Sequence, residues 1–404
     1  MAKPLAKQVL IAGGGIGGLA AALACARIGA KVSVFEKNRE FTEVGAGLQL
    51  GPNVTHVLHG LGLQQMLQTV AAMPGRLQVN SAASGRELAT LALGESMLKR
   101  YGAPYLTVHR ADLQTLLLTA LKQGTGTSLK LGSSIERFAE NNDRVTVRDA
   151  SQAEFQGDML IGADGLWSQV RQQLLGDGAP YSTGHQAYRA LVAQDSLPSR
   201  LRSRNITVWL GADLHVVEYP VRGGDCLNVV AILENSLDGG STLDARSWDH
   251  NANAAVLQDA MGATCSRLQQ LIHAIESWRL WPLSTRRPVH AAGAMARGRV
   301  ALLGDAGHPM LPYLAQGAGM AIEDAHVLAA AIARSSPGNG IEVSQALRHY
   351  AELRWRRNAR VQARALRNGQ IFHASGVFRL ARDASLKLLG PRLLDNPWLY
   401  RHRD

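Results

Sequence analysis

Gln8-Val-Leu-Ile-Ala-Gly13-Gly-Gly15-Ile-Gly17-Gly18, followed by Lys31-Val-Ser-Val-Phe-Glu36, decides how this chain folds. The first five residues are an apolar run ending in glycine, the pattern of a buried strand. Residues 19–28 read as an alanine-rich helix stopped at Gly29, and residues 31–36 alternate as a second strand. Strand, glycine turn, helix and strand within about thirty residues predict the βαβ unit that opens a dinucleotide-binding fold. The glycines satisfy G-x-G-x-x-G in that setting. Gly13 permits the tight turn, Gly15 lets the backbone approach a pyrophosphate, and Gly18 lets helix and strand pack closely, with Gly17 in the same loop. Glu36 ends the second strand, where a carboxylate accepts hydrogen bonds from both ribose hydroxyls, and Lys37 beside it is assigned to the same site. An adenosine diphosphate moiety is implied, without separation of FAD from NAD.

Composition sets the outer bounds. The chain has 404 residues, 46% hydrophobic and 19% charged, which suits two domains around ordinary cores. Lys3 and Lys7 precede an uncharged stretch, residues 9–26, resembling a short membrane span or signal sequence. Five glycines within residues 13–18 would break such a helix in its middle, so no stable membrane insertion is expected. The net charge of +11 fits nucleic acid, anionic lipid or steering of anionic small molecules. Arg354, Arg356, Arg357, Arg360, Arg364 and Arg367 fall on several faces of a predicted helix with no aromatic platform beside them, so a solvated or interdomain helix is expected and no nucleic acid. Cys25, Cys226 and Cys265 are odd in number, widely spaced and without a CxxC pair, which suggests neither a disulfide framework nor a zinc site and suits a reducing cytoplasm.

Two later runs, Asp158-Met-Leu-Ile-Gly-Ala163 and Arg299-Val-Ala-Leu-Leu303, are continuously apolar and lead into Asp164-Gly165 and Gly304-Asp305. Continuous apolarity predicts strands buried on both faces in a parallel sheet, and ligands bind outside the carboxyl ends of such strands. Between them, residues 206–210, 215–219 and 227–232 alternate and predict a mainly antiparallel second domain. In Leu214-His-Val-Val-Glu-Tyr-Pro220, His215, Val217 and Tyr219 project to one face and Val216 and Glu218 to the other. From about residue 342 the chain is helical in pattern.

Four further motifs, in order, resemble the flavoprotein aromatic hydroxylases, which include salicylate, 3-hydroxybenzoate and 6-hydroxynicotinate hydroxylases. They are Gly45-Ala-Gly-Leu-Gln-Leu-Gly-Pro-Asn53, His109-Arg-Ala-Asp-Leu113, Gly162-Ala-Asp-Gly-Leu-Trp-Ser-Gln-Val-Arg171, and Leu303-Gly-Asp-Ala-Gly-His-Pro309 continuing to Gln316-Gly-Ala-Gly-Met-Ala-Ile-Glu-Asp324. The resemblance implies FAD held by Arg110 and Asp305, with Gly47 and Gln49 also in the flavin site. The small residues Gly317, Ala318 and Gly319 would bring helix N-terminal amides to the flavin ring, where they favour negative charge. Asp164-Gly165 would serve both FAD and NADH or NADPH, the latter visiting as a transient co-substrate because only one Rossmann unit is present. An Asp164 that caps a helix beginning near Leu166, with Arg171 as support, is the alternative.

The implied fold is α/β: a Rossmann-like FAD-binding domain of the aromatic hydroxylase type, an inserted mainly antiparallel β-sheet substrate domain, and a C-terminal helical segment. The expected divisions are residues 1–72, 100–180 and 284–341 for FAD, 73–99 and 181–283 for substrate, and 342–404 for the helices. His215, Tyr219, Tyr313 and Gln316 are the catalytic candidates. His215 matches a histidine that relatives use at the substrate phenol; His308 is architectural or flavin-proximal; Arg189 meets the flavin or a carboxylate. Gln49 stands where hydroxynicotinate enzymes carry histidine, and Pro312-Tyr-Leu-Ala-Gln-Gly-Ala-Gly319 lacks the His-Gln run of salicylate hydroxylases. The expectation is a cytoplasmic monooxygenase that uses O2 and NAD(P)H on a small aromatic substrate of the 3-hydroxybenzoate 6-hydroxylase type, with a homodimer left open. The alternatives are a salicylate or hydroxynicotinate hydroxylase, a flavin dehydrogenase or oxidase without oxygen transfer, and a non-enzymatic flavin-binding regulator.

Overall fold

A computed structural model describes residues 7–41, 46–141, 143–234, 244, 246, 250–334 and 342–401. Gly45, the first residue of one motif above, lies outside the described residues, as do parts of the expected divisions at residues 235–243 and 335–341. Gln8–Ala12 and Lys31–Glu36 are strands with the predicted bounds, and they pair in parallel. Met159–Gly162 pairs in parallel on the other side of Gln8–Ala12, and Val300–Leu302 pairs in parallel beyond it. Thr127–Leu131 extends the sheet beside Lys31–Glu36, and the short Ala296–Arg297 strand turns back antiparallel at the opposite edge. The two apolar runs ending in aspartate are thus adjacent strands of one sheet, buried on both faces as their composition requires.

The first helix runs Ile16–Arg27, beginning earlier than the alanine run suggests. Gly17 and Gly18 lie within its first turn, because only hydrogen side chains let that turn settle on the strand loop. A Cβ on Gly18 would stand 1.9 Å from the Gly13 carbonyl oxygen, and one on Gly17 would press into Leu303 and Ala321. The helix buries Leu19 through Cys25 against the sheet and against the long helix Gly317–Arg334.

A second sheet has eight strands in the order His250–Asn251, Arg279–Thr285, Tyr181–Ala193, Cys226–Glu234, Leu214–Val221, Ile206–Leu210, Arg76–Ser81 and Glu87–Ala92. All neighbours are antiparallel except Ile206–Leu210 with Arg76–Ser81. One face, carrying Tyr188, Val216, Val229 and Ala231, packs under the helices Ala254–Ala260 and Ser266–His273. The other face, carrying Ala187, Ile232, Val217 and Tyr219, meets Leu311, Tyr313 and Met320 at the entry to the Gly317–Arg334 helix. This contact joins the two sheets.

The chain then runs through the helices Val343–Phe372, Gly376–Leu394 and Pro397–Tyr400. Of the two settings expected for the arginine-rich helix, solvated or interdomain, the solvated one is corrected at Arg354. That residue is 4% exposed and donates to Asp324 Oδ1 at 2.6 Å and Glu323 Oε2 at 2.8 Å. Arg357 adds two further bonds to Glu323 and donates to the carbonyls of Trp398 and Leu399. The helix is therefore tied to the Gly317–Arg334 helix by buried ion pairs. Among the described residues, no helix is long and apolar enough to cross a membrane.

Candidate active site

The glycine loop has the shape a pyrophosphate needs. Gly13 has φ of +101°, and a Cβ there would lie 2.3 Å from the Ala163 carbonyl oxygen, so only glycine fits. A Cβ on Gly15 would meet nothing nearer than the Arg110 guanidinium at 4.0 Å. Open space between a helix N-terminus and a fixed cation is an anion cradle. Glu36 is oriented by the Gly14 amide at 2.8 Å and the Asn38 amide at 2.9 Å, at the end of its strand, with Lys37 exposed beside it.

Asp305 follows the Val300–Leu302 strand in a single helical turn, and a Cβ on Gly317 would stand 4.0 Å from its Oδ1. Burial pushes the Asp305 carboxyl up, while His308 and Arg110 pull it down, so the cation of the cradle acts on this carboxylate. The Gly317–Arg334 helix begins beside it with no acidic residue in its first turn, leaving the amides of Gly317, Ala318 and Gly319 as the positive end of the helix dipole. The chain enters that helix through Ala315 in a left-handed conformation, φ +51°, a strain of about 1 kcal/mol that the surrounding contacts maintain.

Supporting residues hold these parts together. His308 is fully buried and its Nε2 pairs with Asp324, so it fastens the Asp305 turn to the Gly317–Arg334 helix. Arg171 donates to the carbonyls of Ala306 and Gly307 at 2.9 and 2.7 Å and to Asp177. The Asp164 carboxylate accepts from Ser168 Oγ and from the amides of Gln169 and Val170, capping the Gln169–Leu175 helix. The helix starts later than Leu166 because Gly165, at φ +80°, and Ser168 first turn the chain. The backbone of Ala163 and Asp164 lies against Gly13, which places Asp164 at the cradle through its main chain.

Gly47–Leu50 pairs with Leu106–His109, and Thr107 of the second strand donates to the Pro220 carbonyl of the larger sheet. The Gly47 amide donates to Asn228 Oδ1 at 2.7 Å, and a Cβ on Gly47 would strike Tyr219 at 2.5 Å. Gln49 accepts from the Tyr105 hydroxyl at 2.8 Å. Gln316 is 2% exposed and its Oε1 faces Asn53 Nδ2 at 3.3 Å, beneath the start of the helix.

His215 and Tyr219 project from the same face of Leu214–Val221, as their alternation predicts. His215 is 2% exposed, with its ring centroid 5.3 Å from that of Tyr313. Burial, with His373 and His185 adding to it, holds the His215 imidazole well below its ordinary value. Arg189 is buried against the Trp281 ring and acts electrostatically on Tyr219. Sequence reasoning missed His185, Glu234 and His373, which close around His215 and Tyr313. The separation of His373 from His215 by 158 positions left no local signal.

One βαβ cradle, a second carboxylate at the end of a neighbouring strand, and a helix N-terminus opposite a sheet with a buried histidine define a flavoprotein built to work on a second, enclosed molecule. Comparison with known proteins agrees. Residues 6–365 match the FAD binding domain family model. The chain is 36% identical over 400 residues to 3-hydroxybenzoate 6-hydroxylase of Polaromonas naphthalenivorans (strain CJ2), covering 98% of this chain and 96% of that one. It is 34% identical over 358 residues to 6-hydroxynicotinate 3-monooxygenase of Bordetella bronchiseptica, covering 88% of this chain and 89% of that one. Klebsiella pneumoniae HpxO, solved with FAD and uric acid, superposes with a TM-score of 0.83 at 26% identity, covering 96% of this chain and 94% of that one. A salicylate hydroxylase substrate complex gives 0.80 at 26% identity, covering 98% and 95%. The chain belongs to the FAD-dependent aromatic hydroxylase family, and it is a monooxygenase of aromatic rings.

Proposed function

We propose that the enzyme hydroxylates a hydroxybenzoate, as a 3-hydroxybenzoate 6-hydroxylase does, with His215 as the base. The observation that carries this reading is the buried His215 imidazole on the sheet face that confronts Tyr313 and the glycine entry of the Gly317–Arg334 helix. A phenol has a pKa of about 10 and imidazole one of roughly 6.5, so His215 assists by placement rather than by basicity. Its lowered affinity for protons keeps it an acceptor at neutral pH. Tyr219 and Tyr313 frame the ring, and the Arg189 cation supplies a partner for the substrate carboxylate.

FAD, reduced by visiting NADH or NADPH, supplies the redox chemistry and activates O2 for transfer to the ring. Gly13, Gly15, Gly17, Gly18 and Arg110 would hold its pyrophosphate, Glu36 and Lys37 its adenosine ribose, and Asp305 its ribityl chain. Asp164 would contribute through its backbone, Gly47 and Gln49 along one edge, and the Ala318 and Gly319 amides at the ring. Gln316 would shape the loop that presents those amides. Enclosure between the two sheets keeps water from the reacting atoms. The divisions at residues 1–72, 100–180 and 284–341, at 73–99 and 181–283, and at 342–404, a cytoplasmic setting and a homodimer complete the proposal.

A panel of 3-hydroxybenzoate, salicylate and 6-hydroxynicotinate, with coupled NAD(P)H and O2 consumption, tests it. Stimulation by 3-hydroxybenzoate with formation of a dihydroxylated product is expected. Turnover of 6-hydroxynicotinate alone would overturn the substrate assignment, and NAD(P)H oxidation without any oxygenated product would favour an oxidase.

A further inference from the structure

His215 is buried, so a proton it accepts has no direct way out. Its Nδ1 lies 2.7 Å from His373 Nε2, and His373 Nδ1 lies 3.0 Å from Glu234 Oε2. His373 is 4% exposed, whereas the Glu234 side chain is 35% exposed and opens to solvent. A second branch reaches the same carboxylate: Tyr313 Oη is 2.5 Å from His185 Nδ1, and His185 Nε2 is 3.8 Å from Glu234 Oε1. The two pocket residues therefore converge, through one histidine each, on the two oxygens of one half-exposed carboxylate.

We infer that His373 and Glu234 form a proton exit for His215, carrying the phenolic proton of the substrate to solvent. The inference rests on His215 as the base, and it follows from hydrogen-bond polarity. An ionised Glu234 only accepts, so His373 donates from Nδ1. Neutral His373 then accepts at Nε2, so His215 donates from Nδ1. His215 Nε2 is left with its lone pair for the substrate. The carboxylate thus fixes both tautomers in the form that makes His215 a base.

The transfer balances. The phenolic O–H bond breaks as its proton joins His215 Nε2. The proton on His215 Nδ1 passes to His373 Nε2, and the proton on His373 Nδ1 passes to Glu234, which releases it to water. A proton returning along the same path to the product's phenolate restores both tautomers. Burial lowers the proton affinity of His373 and His185, and Glu234 raises it in part, so neither ring traps the proton. The titratable groups around the path are Tyr313, His185, Glu234 and Asp213. Arg382, from the following helix, donates to the carbonyls of Ile371 and Phe372 at 3.2 and 2.7 Å and holds the helix end that carries His373.

His373 and Glu234 are positioning residues, and the test reads proton movement without turnover. FAD-loaded enzyme, without NAD(P)H, is mixed with 3-hydroxybenzoate in weak buffer; phenolate absorbance and an indicator dye report ionisation and proton release. In H373Q and E234Q the release is expected to slow by on the order of 10²-fold and to recover with added imidazole, with FAD retained. In H215A the bound phenol is expected to stay neutral. Release at the wild-type rate in both H373Q and E234Q, while H215A blocks ionisation, would overturn the exit and leave the base in place. Normal ionisation in H215A would remove the base and the exit together. E234Q alters a half-exposed side chain and remains decisive if H373Q misfolds.

Discussion

Replacing Arg354 by methionine keeps most of the buried stem and removes the charge. Its guanidinium bonds to Asp324, Glu323 and Asn358, the first at 2.6 Å, in the seam between the two long helices. Breaking a buried pair by removing one partner costs about 3–5 kcal/mol when the remaining charge is stranded. Neither carboxylate is wholly stranded here. Asp324 keeps His308, Asn358 and the Gly304 amide, and Glu323 keeps Arg357 and Asn53. The expected loss is therefore at the lower end, about 3 kcal/mol. Burial pushes the Asp324 carboxyl up, but His308 and Arg354 outweigh it and hold the group well below the ordinary range. A depressed carboxylate stabilises the fold above its unfolded pKa of about 3.9 and loses that contribution as pH falls toward its folded value. The difference between wild type and R354M should be level from about pH 8 to 5 and shrink below about pH 4. Urea unfolding followed by tryptophan fluorescence across that range, with and without FAD, measures it. A loss under about 1 kcal/mol at neutral pH, or a difference that grows in acid, would refute the reasoning.

Gly18→Ala should yield protein that purifies without FAD, because its Cβ would occupy the Gly13 carbonyl; normal flavin content in the absorbance spectrum would contradict this. Glu36→Gln should weaken FAD binding by roughly 10–100-fold, the worth of one charge-assisted hydrogen bond, read by fluorescence titration of the apoprotein. His215→Asn should retain FAD and lower the hydroxylation rate by about 10²–10⁴-fold in single turnover. Because His215 is held well below its usual value by burial and by the nearby His373 and His185, its loss through protonation should fall on the acid side of an ordinary histidine; kcat/KM that already halves at about pH 6.5 through this group would disagree.

Gln8–Ala12 was legible because burial on both faces leaves a continuous apolar run, and Lys31–Glu36 because its residues alternate; both strands have their predicted bounds. Helix starts were less legible. Glycine weakens a helix in isolation, yet Gly17 and Gly18 are required inside the first turn by close approach to the strand loop. The face of His215 and Tyr219 followed from strand alternation, but their neighbours did not, since His185, Glu234 and His373 come from two other strands and a helix end. One signal was available for the Arg354 network: two adjacent carboxylates, Glu323 and Asp324, sit in an otherwise apolar helix, and buried carboxylates demand cations. The arginine-rich helix that follows was their natural source.

The most direct test of the central claim is isotope incorporation. Purified FAD-loaded enzyme is supplied with NAD(P)H and 3-hydroxybenzoate under ¹⁸O₂, and the product is weighed by mass spectrometry. A dihydroxybenzoate carrying one ¹⁸O atom, formed in step with NAD(P)H consumption, is the predicted result. NAD(P)H consumption that ends only in hydrogen peroxide, with no labelled aromatic product from any hydroxybenzoate, would contradict it.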